Sequence, residues 1–272
     1  MEAIRSGFIW TVIVVMTVAA FVIMLPVALV AWPFDPKKNA AHFVARTWAR
    51  NLLWANPAVR VRVEGQENLA AIGGSGSAVL CANHESMADI VALYYLGYPF
   101  KWISKREVAL IPFIGWSMWF AGYIFLKRGD KQSIRRCMEK SNEWLQRGVS
   151  IMMFPEGTRS LDGRVRAFKD GAFRMALDSN RPIVPIALKG PRQLVMKGSW
   201  KFAARTDMVV RVGPPIFPVP GADPAHEMNR VKAATRAWIL KNCAELNGVP
   251  ESALDAGEDV ARFGNKPAEA RV

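Results

Sequence analysis

Residues 78–96 read AVLCANHESMADIVALYYL, and this stretch decides the fold class. Its first five residues form a short apolar run, which is typical of a buried strand. A polar turn follows, and residues 88–96 then have the pattern of a helix. A strand that leads directly into a helix is the repeating unit of α/β domains.

The rest of the chain repeats this alternation. The predicted strands are residues 59–63, 78–82, 101–104, 123–126, 150–154, 183–188 and 208–212. The predicted helices are residues 88–96, 107–120, 133–147, 171–179 and 225–247. This order predicts an α/β domain whose central sheet is largely parallel and flanked by helices.

The composition favours an anionic partner. The 272 residues include 36 Lys and Arg against 23 Asp and Glu, a formal charge of +13, and 51% of the chain is hydrophobic. Nucleic acid and anionic lipid both fit this balance. The three cysteines, Cys81, Cys137 and Cys243, lie far apart without metal-ligand spacing. This spacing argues against a disulfide framework and a zinc site. We also predict no other metal site and no cofactor.

An uncharged segment at the N-terminus indicates a membrane. Residues 6–34 contain no charged side chain, and as one helix they would reach about 43 Å, beyond a hydrocarbon core of roughly 30 Å. A tilt, or a bend at Pro26, is therefore expected. A signal peptide is the alternative, although its apolar region is shorter, roughly 7 to 15 residues. Basic residues follow the segment, which predicts that the remainder of the chain is cytoplasmic.

Two further apolar stretches leave alternatives open. Residues 38–56 have an amphipathic helical pattern, which fits either a helix lying on anionic headgroups or one packed on the domain. If the first helix bends back at Pro26 to meet it, the pair would embed in one leaflet without spanning. Residues 108–125 also lack charge, but Pro112, Gly115 and Gly122 interrupt them, so we expect burial in the domain.

These patterns divide the chain into three parts. Residues 1–56 are the predicted membrane-embedded helical anchor, and residues 57–249 are the α/β domain. Residues 250–272 are predicted to be a polar tail that frays, because they have little hydrophobic content.

His84 and Asp89 are the first candidates for chemistry. They follow the strand at 78–82 with four residues between them, at the opening of a helix. A carboxylate that holds the Nδ1 hydrogen of an imidazole leaves the basic Nε2 free and stabilises the cation, which is what the activation of an alcohol requires. Taken alone, the pair is equally compatible with a helix cap or a structural ion pair.

Residues 151–160, IMMFPEGTRS, provide the second candidate site. An apolar strand ends here in Pro155 and Gly157, and ligands bind at strand ends in α/β sheets. Arg159 can hold a phosphate with two hydrogen bonds, and Glu156 can accept from a hydroxyl or hold the arginine. An exposed loop with a surface salt bridge is the alternative.

Four blocks together resemble the 1-acylglycerol-3-phosphate acyltransferases of the glycerolipid acyltransferase family. The first is Asn83, His84 and Asp89, and the second runs from Lys105-Arg106-Glu107 through Pro112 and Gly115 to Gly122 and Arg128. The third is Phe154 to Ser160 with Phe168-Lys169-x-Gly171, and the fourth is Val184-Pro185-Ile186. They cover roughly residues 79–190. Glu85, Ala88 and Lys127 depart from the family's usual residues.

The resemblance implies a site and a reaction. His84 is expected to be the general base, oriented by Asp89. The expected phosphate and glycerol contacts are Lys105, Arg128, Glu156, Gly157, Thr158 and Arg159. The candidates for the acyl site are Ile111, Phe113, Trp116, Met118 and Pro185, of which the aromatic and aliphatic members fit an ordinary core equally well.

The resemblance also implies partners. We expect an acyl-carrier protein or acyl-CoA as donor, lysophosphatidic acid as acceptor of the acyl group at its sn-2 hydroxyl, and an anionic membrane, the bacterial inner membrane, with the domain on its cytoplasmic side. The same chemistry on glycerol 3-phosphate, another lysophospholipid or lyso-ornithine lipid is the alternative. A thioester hydrolase and an inactive membrane-binding protein are further alternatives. Nucleic-acid binding is not expected, because the basic residues lack interleaved aromatic motifs.

Overall fold

The computed structural model describes residues 2–54, 56, 58–195 and 198–257. Its α-helices are α1 (Glu2–Ala31), α2 (Asn39–Trp54), α3 (Ala88–Leu93), α4 (Ile114–Phe120), α5 (Lys131–Gln146), α6 (Gly171–Ser179), α7 (Pro191–Leu194), α8 (Pro224–Asn247) and α9 (Glu251–Leu254). Short 3-10 helices occupy Gln66–Ser75, Tyr94–Leu96 and Arg106–Leu110. The strands are β1 (Val59–Glu64), β2 (Val79–Ala82), β3 (Phe100–Lys105), β4 (Ile124–Leu126), β5 (Ser150–Met153), β6 (Ile183–Lys189) and β7 (Thr206–Val212).

The seven strands form one sheet in the order β1-β7-β6-β2-β5-β3-β4. Neighbouring strands run parallel except β6 and β7, which are antiparallel. The predicted α/β class and largely parallel sheet are therefore confirmed. β2 lies at the centre of the sheet, so the residues that follow it emerge between two neighbouring strand ends.

Helices cover both faces of the sheet, which explains why β2 is apolar throughout. Leu80 and Ala82 point into a core formed with α1, α2 and α3. Val79 and Cys81 point into a second core formed with α5, α6 and α8. All four side chains are fully buried.

The two N-terminal helices form an antiparallel pair that is part of the first core. α1 continues through Pro26 to Ala31, so the chain reverses after Ala31 and does not turn back at Pro26. The two helices are linked by Trp48 Nε1, which donates to Thr17 Oγ1 at 3.1 Å. Ala49 of α2 is fully buried, so the amphipathic pattern of residues 38–56 reflects packing on the domain.

α1 contacts the domain near its start and again in its second half. Near its start, Arg5 Nη2 donates to the Phe202 carbonyl at 2.7 Å and Ser6 Oγ accepts from the Phe202 amide at 3.0 Å. Farther along, the ring centroids of Phe21 and Phe113 lie 5.6 Å apart, and Met24 is buried in the first core. Among the described residues α1 is the one helix with the length and hydropathy to cross a membrane.

Two segments differ from the sequence prediction. The helix expected at 107–120 is split into the 3-10 helix Arg106–Leu110 and α4, and several of its apolar side chains are exposed, so the expected burial of residues 108–125 is wrong for them. In the predicted tail, Leu254 accepts from the Val165 amide at 2.8 Å and Asp255 pairs with Arg236 at 2.5 Å. Residues 251–257 are thus packed on the domain, and the rest of the tail lies outside the described residues.

Candidate active site

The candidate residues follow neighbouring strands at the carboxyl edge of the sheet, where α/β domains bind ligands. His84 follows β2 and Glu156 follows β5, the strand beside it. Lys105 ends β3 and Arg128 follows β4, which lie next in order. Because strands are spaced by about 4.8 Å, these residues lie progressively farther from His84.

Asp89 holds the His84 imidazole. His84 Nδ1 lies 2.7 Å from Asp89 Oδ2, and the same oxygen accepts from the amides of Glu85 at 2.7 Å and Ser86 at 2.9 Å. Asp89 is fully buried. With the Nδ1 hydrogen directed at Asp89, Nε2 carries the free lone pair of the ring. The structure therefore brings the predicted pair together in a geometry suited to a general base.

Phe154 fixes the plane of the same ring. Its side chain stacks on the His84 imidazole with ring centroids 3.8 Å apart and an angle of 8° between the planes. Phe154 had no predicted role beyond its place in the third block. A position directly after β5, beside the strand that carries His84, is the signal that would have identified it.

Glu156 binds the backbone of His84. Its Oε1 accepts from the His84 amide at 2.9 Å, and its Oε2 accepts from the Arg166 amide at 3.2 Å. The Ser160 amide donates to the His84 carbonyl at 2.7 Å. The loop after β5 thus holds the base from both sides of its peptide unit. Glu156 is buried, and both its oxygens are engaged, which favours a positioning role over the predicted contact with the acceptor.

Asn83 fixes the exit of the chain from β2. Its side-chain amide bonds the backbone of Leu188 in β6 in both directions, at 3.2 Å and 2.8 Å. The Ser86 hydroxyl donates to the Val195 carbonyl at 2.9 Å. These contacts tie the turn that carries His84 to β6 and the segment after it, while Glu156 ties the same turn to the loop after β5 on the other side of β2.

The site contains carboxyl groups that resist ionisation. Burial, together with the neighbouring Asp89 carboxylate, raises the pKa of Glu85 to about 8. Burial also raises the pKa of Glu156 to about 8, against the opposing effect of its two backbone hydrogen bonds. Arg192, whose Nη2 donates to the Leu161 carbonyl at 2.9 Å, opposes the shift at Glu85. No sequence motif pointed to Arg192.

The predicted phosphate contacts differ in their distance from the base. Thr158 and Arg159 are half-buried in the loop that bonds His84, whereas Lys105 and Arg128 are exposed at strands farther away. Gly157 adopts a φ of 68°, and an added Cβ would lie 3.1 Å from the side chain of Lys169. Lys169 therefore lies beside the same loop and adds a cation that had no predicted role beyond its place in the third block.

The predicted acyl-site residues separate into two groups. Phe113 and Trp116 pack against Phe21 of α1, with ring centroids 5.6 Å and 5.4 Å apart. Pro185 is buried inside β6 opposite Cys81, on the side of Trp238 of α8. The structure therefore does not bring Pro185 together with the aromatic candidates. Ile111 is exposed beside Phe113.

The fold and the site define an α/β domain with a carboxylate-held histidine at its carboxyl edge. Residues 60–189 match the family model described as Acyltransferase. The resemblance carried by the four blocks is thereby confirmed.

Characterised relatives bear related names. The chain is 41% identical over 167 residues to the 1-acyl-sn-glycerol-3-phosphate acyltransferase LPAT1, chloroplastic, of Arabidopsis thaliana, a match covering 61% of this chain and 46% of the relative. It is 26% identical over 223 residues to the 1-acyl-sn-glycerol-3-phosphate acyltransferase of Pseudomonas aeruginosa, covering 80% of this chain and 84% of the relative. The chain spans about half the length of the plant and algal relatives it matches.

A solved structure shares the fold. The crystal structure of the 1-acyl-sn-glycerophosphate (LPA) acyltransferase PlsC from Thermotoga maritima superimposes with a TM-score of 0.68 at 23% identity. The match covers 87% of this chain and 95% of that one. The arrangement of helices around the sheet is thus that of a known α/β fold.

Proposed function

We propose that this chain is a membrane-associated enzyme of phospholipid biosynthesis. It transfers a fatty acyl group from a thioester, carried by acyl-carrier protein or coenzyme A, to the sn-2 hydroxyl of 1-acylglycerol 3-phosphate, and the product is phosphatidic acid. The observation that carries the proposal is the His84–Asp89 pair, with Nδ1 and Oδ2 2.7 Å apart, beside a loop that offers Arg159. The names of the relatives support the choice of reaction.

The reaction follows from the geometry of the base. His84 Nε2 removes the proton of the acceptor hydroxyl as the oxygen forms a bond to the thioester carbonyl carbon. The tetrahedral intermediate collapses, its carbon–sulfur bond breaks, and the departing sulfur takes the proton back from the imidazolium. The Asp89 carboxylate stabilises the imidazolium between these two steps.

Direct transfer is favoured over a covalent acyl-enzyme. Cys81, three residues before His84, is fully buried, and burial raises its pKa far above the usual value of a thiol. The Ser86 hydroxyl donates to the Val195 carbonyl. Neither group is presented as an activated nucleophile.

Charge supports the choice of substrates. Arg159 carries the planar guanidinium that matches a phosphate monoester, and it lies one residue from Ser160, whose amide bonds His84 at 2.7 Å. Both donor types are acidic, so the net charge of +13 suits either of them.

The contacts of α1 favour attachment to one leaflet. Its 30 residues extend over about 45 Å at 1.5 Å per residue, yet Arg5 near its start and Phe21 in its second half contact the same domain. A helix held by one domain at its start and in its second half lies along the membrane surface, which agrees with its exposed apolar side chains. We place the domain on the cytoplasmic side of a bacterial inner membrane; the plant relatives bear chloroplastic names, which point to another compartment.

The purified full-length chain tests the proposal. Acyl-CoA and acyl-carrier protein are each supplied with lysophosphatidate, glycerol 3-phosphate, lysophosphatidylcholine and lyso-ornithine lipid, and the products are identified by mass spectrometry. We expect phosphatidic acid as the main product. Thiol release that does not depend on an acceptor would identify a hydrolase instead, and preference for another acceptor would leave the chemistry but change the substrate.

A further inference from the structure

The segment between β3 and β4 exposes a cluster of large apolar side chains. Leu110 is 81% exposed, Trp119 57%, Trp116 49% and Ile111 45%. Single exposed apolar residues are normal, but a contiguous group on a domain with two filled cores marks a surface that meets another apolar phase. We call residues 110–119 the apolar tip.

The apolar tip is held in a fixed conformation. Phe113 has φ 62° and ψ −46°, and the Ile114 amide donates to the Pro112 carbonyl at 2.7 Å, which together form a γ-turn with positive φ, a strained arrangement for a side-chain-bearing residue. Gly115 packs so closely that an added Cβ would lie 2.2 Å from the Ala109 carbonyl oxygen. The exposed side chains are thus presented outward by packing.

The apolar tip continues the exposed surface of α1. The rings of Phe21 and Trp116 are 5.4 Å apart. Lys38 Nζ lies 5.2 Å from the ring of Trp32, which follows α1, and 5.6 Å from the ring of Trp119. Phe34, next to this junction, is 85% exposed. One apolar surface therefore runs from α1 across the junction to α4.

Exposed basic residues surround the base of the apolar tip. Lys105 and Arg106 precede it, and Lys127 and Arg128 follow it. Lys105 pairs with Leu126 in the parallel β3–β4 register, so both basic pairs lie at the same edge of the sheet. An apolar tip with a basic base is the arrangement that binds an anionic bilayer, apolar groups entering the acyl region and cations remaining among headgroups.

We propose that the apolar tip inserts into the bilayer leaflet that holds α1, as a second membrane-contacting element, with the four basic residues at the level of anionic lipid phosphates. The inference rests on the proposed function, because two of these residues, Lys105 and Arg128, are proposed contacts of the acceptor phosphate. Insertion places them at the depth where the phosphate of a membrane-embedded lysophospholipid lies, so the acceptor reaches the site without leaving the bilayer.

A nitroxide label at position 110 tests the insertion. The three native cysteines are buried, so Leu110→Cys in the full chain is labelled selectively. Val249→Cys is the control, because Val249 follows α8, which packs on the face of the sheet opposite to α1. On vesicles of phosphatidylglycerol and phosphatidylcholine we expect the label at 110 to become accessible to oxygen and protected from a water-soluble nickel complex, while the label at 249 stays unchanged. Equal nickel accessibility at 110 with and without vesicles, or failure of the chain to bind them, overturns the proposal.

Leu110→Glu tests whether insertion serves catalysis. We expect its rate on lysophosphatidate in vesicles to fall about tenfold or more, because the free energy of moving one leucine side chain out of water corresponds to a factor of at least about that size. Its rate on the same acceptor in detergent micelles should stay within about twofold of the wild-type rate. The control Val249→Glu should stay within the same range in both vesicles and micelles. Equal loss in micelles, or no loss in vesicles, contradicts the inference. A wild-type chain inactive in micelles contradicts the proposed function instead and leaves the labelling result standing.

Discussion

Nδ1 of His84 lies 2.7 Å from Oδ2 of Asp89, an oxygen that also accepts two backbone amides. The amides fix the carboxylate at the start of α3, and the carboxylate fixes the imidazole. The orientation of His84 therefore depends on the fold of the turn after β2, because Asp89 is positioned by backbone groups of that turn. The two residues are expected to act as one unit.

His84→Ala is expected to lower kcat by at least roughly 10³, because it removes the base and leaves most substrate contacts in place. Asp89→Asn should lower kcat nearly as much, since an amide cannot stabilise the imidazolium. The double variant should be little worse than His84→Ala alone. Steady-state kinetics with lysophosphatidate measures all three. Additive losses would show that Asp89 has a separate function.

Glu156→Gln is expected to lower kcat while KM for donor and acceptor stays near the wild-type value. The glutamine amide keeps one acceptor but directs its NH2 group at the second backbone amide, so either the His84 or the Arg166 hydrogen bond is lost. The lost bond leaves a buried backbone N–H without an acceptor, which costs about 1–3 kcal/mol, or roughly five- to a hundredfold in kcat. Glu139→Gln, on the exposed face of α5, is the control. A raised acceptor KM with unchanged kcat would restore the predicted binding role.

The strands and the His84–Asp89 pair could be predicted because their signals are local. Each strand is a short run rich in β-branched, aromatic or other apolar residues between turn residues, and the pair is separated by about one turn. The role of Glu156 could not be predicted in this way, because its partners His84 and Arg166 come from separate segments that meet only after the sheet has formed. The antiparallel pairing of β7 on β6 is equally a tertiary outcome.

The packing of the N-terminal helices could not be predicted from local sequence signals either. Amphipathicity indicates that α2 buries one face, but a helix packed on lipid and one packed on protein have the same pattern. The structure places Ala41, Ala49 and Leu53 of α2 in the core of the domain. The exposed residues of the apolar tip were likewise expected to be buried, because uncharged sequence alone does not distinguish a core from a membrane-facing surface.

Deletion of residues 1–56 is therefore expected to destabilise the domain as well as to weaken its attachment to membranes. A chain lacking residues 1–37 keeps α2 and serves as the control. Exposing one buried leucine costs about 1.5–3 kcal/mol, and Leu53 is only part of the surface that α2 covers. Thermal unfolding in detergent should show a clearly lower midpoint for the longer deletion. Equal midpoints would mean that α2 contributes nothing to the core.

Glu85→Gln is expected to stabilise the protein at alkaline pH relative to acid pH. Burial and Asp89 raise the pKa of Glu85 from about 4.5 to about 8, so the folded state holds this proton more tightly than the unfolded chain. The contribution of Glu85 to the free energy of unfolding is fully present below about pH 4.5 and is lost as the pH rises through about 8. Glutamine does not ionise and still accepts from Asn83.

Unfolding midpoints measured by circular dichroism across this pH range check the prediction. The midpoint of Glu85→Gln minus that of wild type should grow as the pH rises, by about 2–4 °C for each kcal/mol that the ionised carboxylate costs. The Glu85 charge also contributes to the raised pKa of Glu156, so its removal eases the ionisation of Glu156 and changes the difference in the same direction. Parallel curves would show that Glu85 is ionised throughout.

Arg159→Ala is expected to raise KM for lysophosphatidate by about ten- to a hundredfold, the equivalent of roughly 1.5–3 kcal/mol for a lost charge-assisted contact, with little change in KM for the acyl donor. Arg159→Lys should recover part of this, because an ammonium lacks the planar fork that matches two phosphate oxygens. Lys105→Ala and Arg128→Ala should have progressively smaller effects, because their strands lie second and third from β2 whereas β5 is its neighbour. Lysophosphatidylcholine, a diester with a cationic headgroup, should be a poor acceptor for the wild type. If it is acylated as well as lysophosphatidate, or if Arg159→Ala leaves the lysophosphatidate KM unchanged, the phosphate-monoester assignment is wrong and another lyso-acceptor takes its place.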